Sequence, residues 1–201
     1  MPRARLQAGF TRRDVQAYLQ WEEDAPCTLE SAHQLPSSVL NLCQATHRIV
    51  TLRGALAARL FCLLSSDRRS TPDWAFNCFA AVDTLLQGVI PPRGDLHVRA
   101  VMGDPADLTT LPPVPTSGTL TRFQLWGSYD VYNDEHEPIE SREGVVHEGL
   151  IIGGDQAGQP LVFQKNGPLR PHIADWATVQ ACYRYAQALR LDVVTLPPDT
   201  P

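Results

Sequence analysis

Residues 144–167 read GVVHEGLIIGGDQAGQPLVFQKNG, and how they pair decides the fold. Two apolar runs, residues 145–152 and 161–163, are rich in the β-branched and aromatic residues that suit pleated strands. Between them, Gly153, Gly154, Asp155, Gln156 and Gly158 supply the positive-φ residues that a chain reversal needs. The spacing predicts a β-hairpin. His147 and Glu148 interrupt the first run, and Gln164, Lys165 and Asn166 close the second. Because side chains alternate faces, His147 shares one with Val145, Gly149 and Ile151. A turn centred on Asp155 and Gln156 sets Gln164 across the ladder from His147, with Asn166 diagonal to it. A one-residue slip brings Lys165 there instead. A carboxamide oxygen opposite an imidazole accepts the proton of one ring nitrogen and leaves the other as a base. The same pattern also describes a half-buried strand histidine that only bonds a neighbour.

The totals around this hairpin narrow the function. The chain has 201 residues, of which 43% are hydrophobic and 19% charged, enough for one domain with a substantial core. A net charge of −5 without a basic patch argues against nucleic acid and against an anionic membrane surface. No apolar run reaches membrane-spanning length. The leading MPRARLQAGFTRRDVQ lacks the apolar segment of a secretory signal, so a cytoplasmic setting is expected unless a dedicated export route exists. Cys27, Cys43, Cys62, Cys78 and Cys182 are widely spaced with no CxxC pair, which fits reduced thiols. No metal or other cofactor is expected. Asp134, Glu135, His136 and Glu137 are consecutive and cannot all converge on one ion.

Elsewhere the pattern predicts helices flanking the sheet. Thr11 and Asp14 suggest a capped helix over residues 12–23, within an N-terminal helical arm spanning 1–30. Val39, Leu42, Cys43, Thr46, Ile49, Val50 and Arg53 step at helical spacing, and the run continues to about Ser65, with Gly54 marking a break between two helices. In residues 73–92, DWAFNCFAAVDTLLQGVIPP, the stripe Phe79, Val82, Leu85 and Leu86 predicts a helix that stops at Gly88. Asn77 and Cys78 then fall in its first turn or just before it. Strands are predicted over 96–102 and 120–126, an exposed acidic loop over 130–140, a final helix over 173–191 with Cys182 inward, and a tail over 197–201. The resulting architecture is α+β: a helical N-terminal half packed on a small antiparallel sheet, with a C-terminal helix, in one domain over 31–196.

A cysteine at a helix N-terminus meets unpaired amides and the positive end of the helix dipole, which favour the thiolate. Its own backbone N–H can also serve as an oxyanion donor. The order WAFNCFAAVDTLLQG, GTLTRFQLWGS, VVHEGLIIGG and PLVFQKNG, across about 74–167, resembles the NlpC/P60 branch of the papain-like cysteine peptidases. The resemblance implies a cysteine-dependent amide hydrolase of bacterial type. Cys78 is then the nucleophile, His147 carries the proton, and Gln164 orients the imidazole, with Asn166 the alternative. Trp74, Asn77 and Asn166 are expected on the substrate side. The implied substrate is a peptide or other amide, of peptidoglycan or γ-glutamyl type. Transfer of the acyl group to an amine or alcohol is one alternative, and an idle fold kept as a binding or regulatory protein is another. The permuted LRAT-like order would nominate Cys182, and a metal-dependent reading would use His136 with His147.

Overall fold

A computed structural model describes residues 3–8, 15–20, 39–44, 47–65, 77–88, 100–116, 118–154, 157–166 and 169–196. A four-stranded antiparallel sheet comes first: β1 (Arg3–Ala8), β2 (Val15–Gln20), β3 (Val39–Gln44) and β4 (His47–Arg53), paired in chain order. Helices α1 (Gly54–Ser65) and α2 (Cys78–Gln87) follow. The rest of the chain gives β5 (Pro105–Ala106), β6 (Thr119–Tyr132), β7 (Pro138–Gly154), β8 (Pro160–Gln164), β9 (His172–Asp175), α3 (Trp176–Cys182) and β10 (Ala188–Thr195). These strands form a six-stranded antiparallel sheet in the order β5-β10-β6-β7-β8-β9. The architecture is α+β, as expected.

Three segments differ from the sequence expectation. The helix over 12–23 is replaced by β2, whose Val15, Ala17 and Leu19 alternate with Gln16, Tyr18 and Gln20 at the period of a strand. The long helix from residue 39 is instead a hairpin, β3–β4, and Gly54 marks the strand-to-helix junction rather than a break between helices. The final helix is only α3. Asp175 caps it by accepting from Thr178 N at 2.7 Å, and the chain then returns as β10 along β6. Cys182 therefore ends α3 and is exposed, not turned into a core. Of the strand expected over 96–102, residues 96–99 lie outside the described residues, and Ala100, Val101 and Met102 are irregular. Trp74 and the 197–201 tail also lie outside them.

The six-stranded sheet is covered on both faces, which is why its central strands read as continuous apolar runs. On one face Leu120, Leu150, Ile152, Leu161, Phe163 and Ile173 pack against Leu56, Leu60 and Leu63 of α1 and Ala80, Ala81, Val82 and Leu85 of α2. On the other, Phe123, Leu125, Ile151, Val162 and Ala174 pack against Trp176, Val179 and Tyr183. Past Gly127 and Gly144 the β6–β7 pair extends into solvent. The acidic stretch is the tip of this arm, where Asn133 Oδ1 accepts from the amides of Glu135 and Glu137. No group of three or more potential metal ligands occurs among the described residues. None of the described helices is long and apolar enough to cross a membrane.

Candidate active site

The predicted hairpin is β7–β8, but its register is shifted. Leu150 pairs with Phe163 and Ile151 with Val162, and a bulge precedes Gly153 opposite Leu161. Continuing the ladder sets Gln164 level with Gly149 rather than His147. The shift is two residues, and an even shift keeps every side chain on its face. Gly149 has no side chain, so Gln164 reaches diagonally to His147, and Oε1 lies 2.8 Å from Nε2. A Cβ on Gly149 would sit 2.6 Å from two carbons of the Phe123 ring, so glycine is what lets that ring pack against the strand.

His147 is fully buried on the α3 face of the sheet. Its ring stacks on Tyr183, with centroids 4.1 Å apart and planes 15° apart. Burial pushes its pKa down to about 3; the bond to Gln164 raises it and nearby His172 lowers it. The imidazole is therefore neutral at neutral pH. Its Nδ1 is buried and has no hydrogen-bond partner. Beyond Gln164, the amide Nε2 lies 3.3 Å from His172 Nε2, and His172 Nδ1 lies 2.8 Å from the carbonyl of Arg170.

Cys78 begins α2. Asn77 is the N-cap, in extended conformation, and its Oδ1 accepts from Ala80 N at 3.1 Å. Gly88, in left-handed conformation at φ 81°, returns its N–H to Thr84 O and closes the other end. Ala80 and Ala81 are fully buried, and such small residues let the helix approach the sheet closely. The backbone amides of Glu148, Phe79 and Cys78 itself lie against the sulfur and favour the thiolate. Packing around the sulfur outweighs them, the Glu148 carboxylate adds repulsion, and the thiol pKa rises to about 11. The expected lowering by the helix terminus is thus overridden by desolvation. Thiol and imidazole are both neutral and share no hydrogen bond in this conformation.

A cleft of about 410 Å³ opens beside Cys78. Asn77 and Cys78 line it from the α2 side, Tyr183 and Tyr185 from the other, and Val145, Val146, Lys165 and Asn166 lie between. His147 is not on the cleft wall, but Tyr183, stacked on its ring, is. Burial holds the Tyr183 phenol protonated, and it donates to Asn166 Oδ1 at 2.9 Å. Of the two carboxamides considered for the third position, Gln164 contacts the imidazole and Asn166 is engaged by Tyr183. Burial lowers the pKa of Lys165, which lines the same cleft as Cys78.

Glu148, on the opposite face from His147, is also buried. Its Oε1 accepts from Arg122 Nε at 3.0 Å and Arg122 Nη2 at 2.6 Å, and its Oε2 from Gln124 Nε2 at 2.9 Å. Arg122 also lies 3.7 Å from Asp83 of α2. This network ties the cysteine helix to the two central strands. Sequence reasoning did not find it, nor the parts played by His172 and Tyr183. The available signal was a set of polar residues in the buried parts of neighbouring strands: Arg122 and Gln124 facing Glu148, and His172 opening the strand after Gln164. Compared with family models, curated proteins and solved structures, the chain matches none.

Proposed function

We propose that this chain is a cysteine-dependent amide hydrolase of the NlpC/P60, papain-like kind, with Cys78 as nucleophile, His147 as proton carrier and Gln164 as its orienting partner. One observation carries the reading. The Gln164 carboxamide occupies Nε2 of a neutral histidine and leaves Nδ1 unpartnered, while a helix-terminal thiol contacts the amide of the very next residue, Glu148. Buried polar atoms are rarely left unpaired without a use.

With both groups neutral, catalysis runs by general base rather than from a preformed ion pair. As the sulfur attacks the amide carbonyl, its proton passes to Nδ1, which requires the two side chains to close together when substrate binds. The oxyanion forms beside the Cys78 backbone N–H, one of the amides that a helix leaves unpaired in its first turn. The imidazolium then returns the proton to the departing amine, and water, activated by His147, releases the acid. An amine or alcohol in place of water gives transfer instead. The cleft, with tyrosines on one side and asparagines at Asn77 and Asn166, suits an extended peptide with amide groups to satisfy. A peptidoglycan-type or γ-glutamyl peptide is the substrate class to try. Cys62, Cys78 and Cys182 are unbridged, in keeping with a reducing compartment.

A second reading, an idle fold that binds a partner in the same cleft, is favoured by the missing thiol–imidazole hydrogen bond. A peptide-like alkylating agent that fills the cleft separates the two. Under the hydrolase reading it draws thiol and imidazole together and alkylates Cys78 faster than Cys62 and Cys182, and His147→Ala abolishes the advantage. Uniform slow labelling, unchanged in His147→Ala, supports the idle fold. Peptide release from a cell-wall digest, lost in Cys78→Ala, would complete the case for hydrolysis.

A further inference from the structure

The direction of the Gln164 amide is fixed from outside the triad. A carbonyl oxygen can only accept, so His172 Nδ1, 2.8 Å from Arg170 O, carries a proton. Burial lowers the pKa of His172 and favours the neutral ring, whose Nε2 then holds only a lone pair. The group of Gln164 that lies 3.3 Å away must therefore be its NH2. That turns Oε1 toward His147, and an amide oxygen again only accepts, so His147 Nε2 carries the proton and Nδ1 is bare. Reversing Gln164 would set its oxygen against an Nε2 that has no proton to give and its NH2 against His147 Nε2. The proton of His147 would then move to Nδ1, and the base would be lost.

We infer that His172 is a positioning residue: through the Gln164 amide, it holds His147 in the tautomer whose Nδ1 is free. The inference builds on the proposed hydrolase, but it makes a statement about protons that holds whether or not the chain cleaves anything. Nothing in the sequence marks His172 for this role except its place at the start of the strand that pairs with Gln164.

The test reads the tautomer directly. Two-bond proton–nitrogen NMR spectra of uniformly 15N-labelled protein distinguish the two neutral forms of each histidine, with the His147 signals identified by their loss in His147→Asn. In the wild type, His147 is expected in the Nε2–H form, and finding it in the Nδ1–H form overturns the inference even if no variant folds. In His172→Phe, which removes the acceptor, His147 should become a mixture and Cys78 alkylation should slow several-fold. His172→Gln places an acceptor oxygen near the old Nε2 position and should restore both. If His172→Phe folds and His147 keeps a pure Nε2–H form, the inference fails. If the tautomer responds but alkylation of Cys78 is indifferent to both His172→Phe and His147→Asn, the positioning role stands and the hydrolase reading falls.

Discussion

Acidification should destabilise this protein through His147, by an amount that can be worked out. In the unfolded chain an imidazole titrates near 6.5, whereas in the fold burial holds it to about 3. Between those values the unfolded chain binds a proton that the native ring refuses. Stability is therefore full above about 6.5 and falls as pH drops toward the folded value. Each unit in that window is worth about 1.4 kcal/mol, so moving from about pH 6.5 to about pH 5 removes roughly 2 kcal/mol. That is a large share of a total that for a typical domain is only about 5–15 kcal/mol. The assay is urea unfolding near neutrality and near pH 5, for the wild type and for His147→Asn. Carboxylates and His172 titrate in both proteins and cancel in the comparison, so the wild type should lose about 2 kcal/mol more than the variant on acidification. Equal losses would mean that the ring is not held neutral by burial, and the reasoning about its free Nδ1 would go with it.

Three further outcomes follow from local geometry. Gly149→Ala places a methyl 2.6 Å from the Phe123 ring and 3.0 Å from Phe163 O, and should cost about 1–3 kcal/mol of unfolding free energy; an unchanged urea midpoint would contradict the packing described. Glu148→Gln breaks a buried ion pair and should cost about 3 kcal/mol, the low end for such pairs because Arg122 keeps some solvent and Asp83 nearby. Because that carboxylate pushes the Cys78 pKa up, the same variant should speed alkylation of Cys78 above neutral pH, and slower alkylation would count against the assignment. Asn77→Ala removes the cap of α2 and should lose about 1 kcal/mol, while Asn77→Asp, which can still accept from Ala80 N, should lose much less.

What the sequence made legible is what local chemistry alone decides. The apolar stripe stopped by Gly88 predicts a helix that starts at or near Cys78, and α2 spans Cys78–Gln87. The glycine-rich reversal after residue 152 needs a hairpin, and β7–β8 is one. The His147–Gln164 contact was anticipated from the wrong register. It survived because the ladder is displaced by an even number of residues and because Gly149 leaves room for a diagonal reach. Elsewhere two periods compete in the same residues. VQAYLQ alternates as a strand, yet Val15, Tyr18 and Leu19 also fit a helical face. The first half of ALRLDVVT falls in the helix expected over 173–191, because Ala186 and Leu189 continue the helical spacing of Val179 and Cys182. Only pairing with β6 reveals that Leu189 is a buried strand residue. The effect of burial on the thiol was also illegible, since a helix terminus can be read from sequence and the density around a sulfur cannot.

The candidate site lies where the sheet opens, beyond the last paired rung of β7 and β8. Pairing between β7 and β8 runs only as far as Leu150 and Phe163, and β8 ends at Gln164. On the β8 side, residues 145–148 of β7 therefore lie beyond the last paired rung. There the sulfur at the head of α2 meets the amide of Glu148, and Val145 and Val146 enter the cleft wall. Had β8 continued two residues further, its backbone would have taken that amide and closed the gap between Cys78 and the imidazole across the strand. The strand ends before Lys165 and Asn166, which line the cleft. An early strand end thus leaves room for the cleft beside Cys78, and the hydrolase proposed above depends on that room. Restoring the ladder is a more incisive perturbation than deleting any one side chain. A β7–β8 pair extended by replacing Lys165 and Asn166 with valines should keep the fold, by far-UV circular dichroism, while Cys78 loses access to iodoacetamide. Unimpaired labelling in a folded variant would show that the strand end does not make the site.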